Sequence, residues 1–501
     1  MNSIQILTAN EMRQLDQLTL QQQNITSYEL MTRVGKYLFD FIITNNFITS
    51  EDHVVVVAGT GNNGGDGMLV AHHIHTRGIP TEIIIIGSQE QQTEESLKAL
   101  KHCQHIPVHY VVETQDDSYK QLLDDATVII DGIFGIGLTR DVEDPHKSVM
   151  NAMNQSYATV ISIDIPSGIH ADNGLQMGTA VHANHTLIVQ NFKQGNLLND
   201  AKDFSGLNHV IDVDIVQSLE FDIQYELPLS YLQGKLGKRH HNSYKYNYGN
   251  LLTIGGSKGM MGAPILSALA ALRSGSGLSQ VYVHDGDHKY LQNPYPDIMV
   301  DTYLGIEDVP QKIRRMDAIV FGPGLGKKNP LNMDILAHLL STEIPLVIDA
   351  DGLYYLKDLL KGYNTRGHLI ITPHYKEMAD FLGISIEDVI QQPVLYAKNI
   401  AHTYNVVVVL KGTCTIITND IETYFSSNGT PGLAKAGTGD VLSGVIGSLL
   451  GRGLPPLDAA KIGVLMHSLA GQYAEEVYGE ESMMASDVIS MLPKVMDHVK
   501  A

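Results

Sequence analysis

Cysteine is nearly absent: Cys103 and Cys414 are the only two in 501 residues, far apart and in no spacing motif. That fits a reducing compartment and leaves no disulfide framework. Positive charge is also scarce, with 34 Lys and Arg against 55 Asp and Glu and a formal net charge of −21. Nucleic acid and anionic membranes need basic patches, so neither is expected as a partner. Glycine-rich backbone and a few lysines can still hold phosphates locally. No apolar run approaches the ~18 residues of a membrane span, so no membrane association is expected. The start Met1-Asn-Ser-Ile-Gln-Ile6 lacks a basic, apolar leader, and a cytoplasmic protein is expected.

Length and patterning supply the rest. A chain of 501 residues is too long for one core. Helical spacing runs over residues 9–45, then His53-Val-Val-Val-Val-Ala58 reads as a buried strand. The loop Gly59-Thr-Gly-Asn-Asn-Gly-Gly-Asp-Gly67 follows, then a helix expected from Met68 to about Arg77. Strands near 81–87, 107–112, 126–131, 157–163 and 185–190 predict a doubly wound, mostly parallel sheet. The pattern breaks between Ile215 and Gly249, then resumes with Gly249-Asn-Leu-Leu-Thr-Ile-Gly-Gly-Ser257 and strands near 280–284, 317–321, 345–349, 368–372 and 405–410. Two α/β domains follow, placed at 1–220 and 221–501.

Gly59-x-Gly61-x-x-Gly64 has the literal dinucleotide pattern, but the second strand ends in Ile86-Gly-Ser-Gln89, without the acid that holds a ribose. A dehydrogenase is disfavoured. Asn62, Asn63 and Asp66 instead offer hard oxygens suited to a cation. Asp131-Gly-Ile-Phe-Gly-Ile-Gly137 and Asp164-Ile-Pro-Ser-Gly168 add more oxygens at strand ends, where doubly wound sheets bind ligands. Each alone could be a mere turn. Together, and in this order, they resemble the NAD(P)H-hydrate epimerase family over about residues 5–215. The resemblance implies a Rossmann-like domain holding potassium through Asn63, Asp131 and Ser167. It implies substrate contacts from Asn62, Asn63, Gly64, Gly65 and Asp66, and from Gly135, Ile136, Gly137, Leu138, Thr139, Arg140 and Asp141. Asp164 matches a further, catalytic contact, and Lys193 stands where the family has a lysine before a glycine.

In the second half, Gly255-Gly-Ser-Lys-Gly-Met-Met-Gly-Ala-Pro264 and Phe321-Gly-Pro-Gly-Leu-Gly326 are glycine-rich strand ends that admit a flat ligand. Thr372-Pro-His374 and Val408-Val-Leu-Lys-Gly-Thr-Cys-Thr415 end two more apparent strands. Ala436-Gly-Thr-Gly-Asp440 precedes an apolar helix, so bare amides would sit at a positive helix start beside Asp440. A plain Gly and Asp helix cap accounts for that turn equally well on its own.

The order of these motifs resembles the ADP/ATP-dependent NAD(P)H-hydrate dehydratases over about residues 240–495, which have a ribokinase-like fold. The resemblance implies that Ala263, Gly324, His374 and Asp440 contact the substrate, with Asp440 catalytic. Lys411, Gly412, Thr413, Cys414, Thr415 and Gly439 would bind the adenine nucleotide, expected to be ADP with magnesium. Two activities on one chain are then expected: interconversion of the epimers of NADHX and NADPHX, and ADP-driven dehydration of the S form. A homo-oligomer is expected. A small-molecule kinase and a non-catalytic nucleotide sensor compete with this reading. His72, His73 and His75, on the helix after the first glycine loop, are too tightly spaced to share one face as a metal site.

Overall fold

The computed structural model describes residues 4–113, 117–217, 221–291, 294–360 and 367–500. The chain divides into two compact units, Asn2–Asp222 and Ile223–Ala501.

In the first unit, a short β1 (Ile6–Leu7) pairs in parallel with β8 (Phe192–Lys193). The main sheet holds β2 (Val54–Ala58), β3 (Thr81–Ile86), β4 (Val108–Val111), β5 (Val128–Gly132), β6 (Thr159–Ile163), β7 (His185–Val189) and β9 (Leu207–Ile211). Its order is β4-β3-β2-β5-β6-β7-β9, with every pair parallel. Helices cover both faces, so the β2 residues Val54 to Ala58 are all fully buried and no alternation of polarity is seen. The order reverses between β2 and β5. The carboxyl ends of β2, β5 and β6 deliver Gly59, Asp131 and Asp164 to that crevice.

One expected boundary moves. The helix after β2 is Asn62–Thr76, so the Asn-Asn-Gly-Gly-Asp stretch forms its opening turns, whereas a loop was expected up to Gly67. Glycine is a poor helix former, which hid the start. Packing overrides the propensity here: a Cβ on Gly64 would stand 2.0 Å from the carbonyl oxygen of Gly59.

The second unit has a ten-stranded sheet made of β10 (Ile223–Glu226), β11 (Asn250–Ile254), β12 (Leu278–His284), β13 (Met299–Tyr303), β14 (Ala318–Phe321), β15 (Leu346–Ile348), β16 (Leu369–Ile371), β17 (Val407–Leu410), β18 (Thr415–Thr418) and β19 (Glu422–Ser426). The order is β10-β19-β18-β17-β16-β15-β14-β11-β12-β13. β18 is antiparallel to both its neighbours and the other pairs are parallel. The helices Thr438–Gly451, Pro456–Tyr478 and Gly262–Arg273 supply much of its core. β10, β13, β18 and β19 were not foreseen. β13 is an edge strand with Met299 exposed, and β10 lies in polar sequence and gains strand structure by pairing with β19.

Candidate functional sites

The first site grows from Asp131, which is completely buried in β5. Its Oδ2 accepts from Ser162 Oγ at 2.7 Å and from Ser167 N at 2.9 Å. Its Oδ1 accepts from Ser167 Oγ at 2.5 Å and from Ile133 N at 3.2 Å. Burial pushes the Asp131 carboxyl up, and these bonds pull it back. Ser167 Oγ also accepts from Phe134 N at 2.8 Å, which ties Asp131 to the 133–138 loop. Asn63 joins from the helix start: its Oδ1 would lie 3.2 Å from a Cβ on Gly135, while its buried Nδ2 has no partner among the described residues. Asn62 Oδ1 accepts from Thr93 Oγ1 at 2.9 Å.

Beside this cluster lies a cavity of about 590 Å³. Its walls include Asn62, Asn63 and Asp66 from the helix start, Gly135 to Leu138 from the loop, and Asp164 and Lys193. Gly64 and Gly65 are buried in the helix behind, whereas Thr139, Arg140 and Asp141 are exposed and do not line the cavity. Asp164 holds a left-handed backbone, φ +69°. Its Oδ1 is gripped by Lys193 Nζ and accepts from Val189 N at 3.1 Å. Lys193 is completely buried, and Nζ also donates to Val189 O at 3.2 Å. Arg13 and Asp16, from the helix Ala9–Gln23, complete the charged lining. Neither belongs to a glycine-rich motif, and nothing in the local sequence separates them from an ordinary amphipathic helix.

The second site lies where β11, β14, β15, β16 and β17 end side by side. Lys411, just past β17, donates from Nζ to Asp349 Oδ1 at 2.9 Å and sits 3.8 Å from Glu377 Oε2. Burial works against its charge, but Asp349, Glu377 and Asp440 together raise it, so it stays a cation. His374 caps the helix Tyr375–Leu382, its Nδ1 accepting from Glu377 N at 3.1 Å. Gly324 and Ala263 meet across the glycine-rich loops: a Cβ on Gly324 would be 3.1 Å from that of Ala263. Gly412 and Thr413 are exposed between β17 and β18, Cys414 is buried and Thr415 opens β18.

The helix Thr438–Gly451 begins from Gly437, whose φ of +92° suits glycine alone. A Cβ on Gly439 would stand 3.4 Å from Lys411 Nζ, so the helix start faces the lysine. Asp440 follows in the first turn. The helix dipole would keep its carboxylate ionised, yet burial, with Asp349 adding like charge and Lys411 opposing, pushes Asp440 up to about 7. Desolvation outweighs the dipole at this position.

Comparison with known proteins matches one family model within each unit. A family model described as NAD(P)H-hydrate dehydratase matches residues 251–494. One described as YjeF-related protein N-terminus matches residues 27–195. A bifunctional NAD(P)H-hydrate repair enzyme of Coxiella burnetii is 32% identical over 96% of this chain and 97% of its own length. The chain belongs to the bifunctional NAD(P)H-hydrate repair enzyme family. The Vibrio cholerae member is also 32% identical, over 98% of each chain. Among solved structures, a ribokinase-like superfamily protein of Enterococcus faecalis V583 is 26% identical with a TM-score of 0.50, covering 57% of this chain and 99% of that one.

Within that family frame, three groups stand out that motif reading did not mark. Asp349 and Asp351 flank Ala350 just past β15, and the apolar run ending in Asp-Ala-Asp was the available signal. His467 is buried in the helix Pro456–Tyr478, and its Nε2 has no partner among the described residues. Burial drives it down to about 4, against a hydrogen bond to the Thr438 backbone, so it is neutral beneath the glycine turn. Among the described residues, no cluster of three His, Cys, Asp or Glu could hold a metal, His72, His73 and His75 included. No described helix is long and apolar enough to cross a membrane.

Proposed function

We propose that the first unit interconverts the R and S epimers of NADHX and NADPHX, and that the second dehydrates the S epimer at the expense of ADP. The observation that carries this reading is the near-complete alignment, at 32% identity, with a bifunctional repair enzyme of Coxiella burnetii. Both units of the fold present polar clusters at the carboxyl ends of their sheets, which fits two active sites.

In the second unit, the substrate's C6 hydroxyl attacks the β-phosphorus of ADP while Asp440 takes the hydroxyl proton. AMP leaves, and the new C6–O–phosphate bond then breaks with loss of a C5 proton, giving the reduced nicotinamide and inorganic phosphate. A base near pH 7 is well matched to this task. Ala263, Gly324 and His374 would position the tetrahydropyridine ring. Lys411 and the amides from Gly437 to Gly439 would bind the transferring phosphate, with Gly412 to Thr415 along the nucleotide. Asp349, Glu377 and Asp440 all place negative charge beside the Lys411 ammonium. Magnesium, expected to arrive with ADP, would supply charge neutralisation at its phosphates; among the described residues no three carboxylates are grouped to hold it by themselves.

In the first unit, Asp131, Ser167 and Asn63 would hold potassium. Asp131 is buried with hydrogen bonds but no ion pair among the described residues, and an amide flip would turn the unpartnered atom of Asn63 into an oxygen. The ion would supply structural charge compensation beneath the 133–138 loop. The test is incubation with S-NADHX and ADP, following NADH absorbance and phosphate release. A stable phosphorylated product would instead identify a small-molecule kinase.

A further inference from the structure

The cavity of the first unit contains more carboxyl groups than its one buried lysine can neutralise. Its charged lining is Arg13 and Asp16 from one helix, Asp66 from the next, Asp164 after β6, and Lys193 in β8. Lys193 is committed to Asp164 Oδ1 and to the carbonyl of Val189. The Arg13 guanidinium turns to the 133–138 loop and donates to Ile136 O at 2.8 Å. Asp16 and Asp66 make no ion pair with any described residue, yet each lies close enough to Asp164 to feel its charge. Two carboxyls with no ion pair among the described residues, lining one ligand-sized space, are arranged for moving protons.

We propose that Asp16 transfers the proton at the C6 oxygen of NAD(P)HX, with Asp66 as the second carboxyl of an acid–base pair. The proposal rests on the epimerase reading of this unit. The chemistry at C6 needs both partners. One carboxylic acid protonates the C6 hydroxyl, the C6–O bond breaks, water departs, and the N1 lone pair forms the C6=N1 double bond. Water then adds to C6 from the opposite face and gives its extra proton to the partner carboxylate. One proton enters and one leaves, nothing is oxidised or reduced, and the two residues exchange roles with the direction of reaction. Enclosure supports this division. Burial, with Lys193 opposing and Asp164 assisting, pushes Asp16 up to about 6. Burial and the charges of Asp164 and Asp16 hold Asp66 well above the usual carboxylate range. Burial thus favours a proton shared on this pair, with Asp16, near 6, the carboxyl able to lose it at neutral pH. Asp164, anchored by Lys193 and Val189, orients the ligand.

The experiment uses the full chain without ADP, so that dehydration cannot drain the S epimer. Exchange of purified R-NADHX into the S form is followed by chromatography from pH 5 to pH 9. For Asp16→Asn the exchange rate should fall by about 10²–10⁴-fold. The KM should change little, and the acidic limb expected near pH 6 in the unaltered protein should vanish. Asp16→Glu should recover a measurable part of the rate. Asp66→Asn is measured alongside, in case Asp16→Asn does not fold, and should show the same order of loss. Exchange within about threefold of normal in the folded carboxamide variants, with the acidic limb intact, would overturn the proposal. So would a loss expressed only as a raised KM. If the unaltered chain does not exchange the epimers at all, the epimerase reading itself fails, and this assignment falls with it.

Discussion

Asp440 shows how one residue is placed between stability and chemistry. Its folded-state carboxyl sits near 7 against an ordinary value of 3.8. A raised carboxyl contributes stability below the lower value and loses it as pH rises through the higher one. Asp440→Asn should therefore raise thermal stability above pH 7, by on the order of 1–4 kcal/mol, and leave it unchanged below pH 4. Scanning calorimetry at pH 4 and pH 8 checks this. Dehydration by the same variant should fall by about 10²–10⁴-fold, with ADP binding and epimerisation retained. Near-normal dehydration would reduce Asp440 to a helix cap. Asp131→Ala should release potassium and impair epimerisation, measured by ion analysis of the dialysed protein beside the exchange rate. Full epimerase activity in the cation-depleted variant would remove the ion from the reading.

At the scale of elements, the glycine-rich strand ends were legible because they need particular backbone. Gly437 and Gly324 adopt positive φ, and the apolar run after Asp440 could only be a buried helix. What escaped was set by neighbours. Asn62 to Asp66 became helix because Gly64 must pass under Gly59. Asp16 and Arg13 read as polar positions of an amphipathic helix until the fold turned them onto the cavity. The pKa of Asp440 depends on Asp349, a residue 91 positions earlier in the chain (440 − 349). Local pattern carries the dipole argument but not the desolvation that defeats it. The close contact at Gly64 gives a prediction for its helix. Gly64→Ala should destabilise the first unit by about 1–3 kcal/mol and abolish epimerisation, because the Asn62–Asp66 turn must shift. Dehydration should persist. Unchanged melting and exchange rates would mean that the turn has room to relax.

For the whole molecule, the chain divides between Asp222 and Ile223, each side with its own sheet and buried core. A fragment of residues 1–222 should epimerise, and one of residues 223–501 should dehydrate the S epimer. Neither piece being soluble would show that the two units depend on each other for folding. The most direct measurement takes the intact protein, with potassium, magnesium and excess ADP, and an equal mixture of R- and S-NADHX. NADH absorbance should return to the full amount, with AMP and phosphate released in equal quantity to the NADH formed. Recovery that stops at half would mean that the first unit does not epimerise. A phosphorylated nicotinamide that accumulates without NADH would contradict repair altogether.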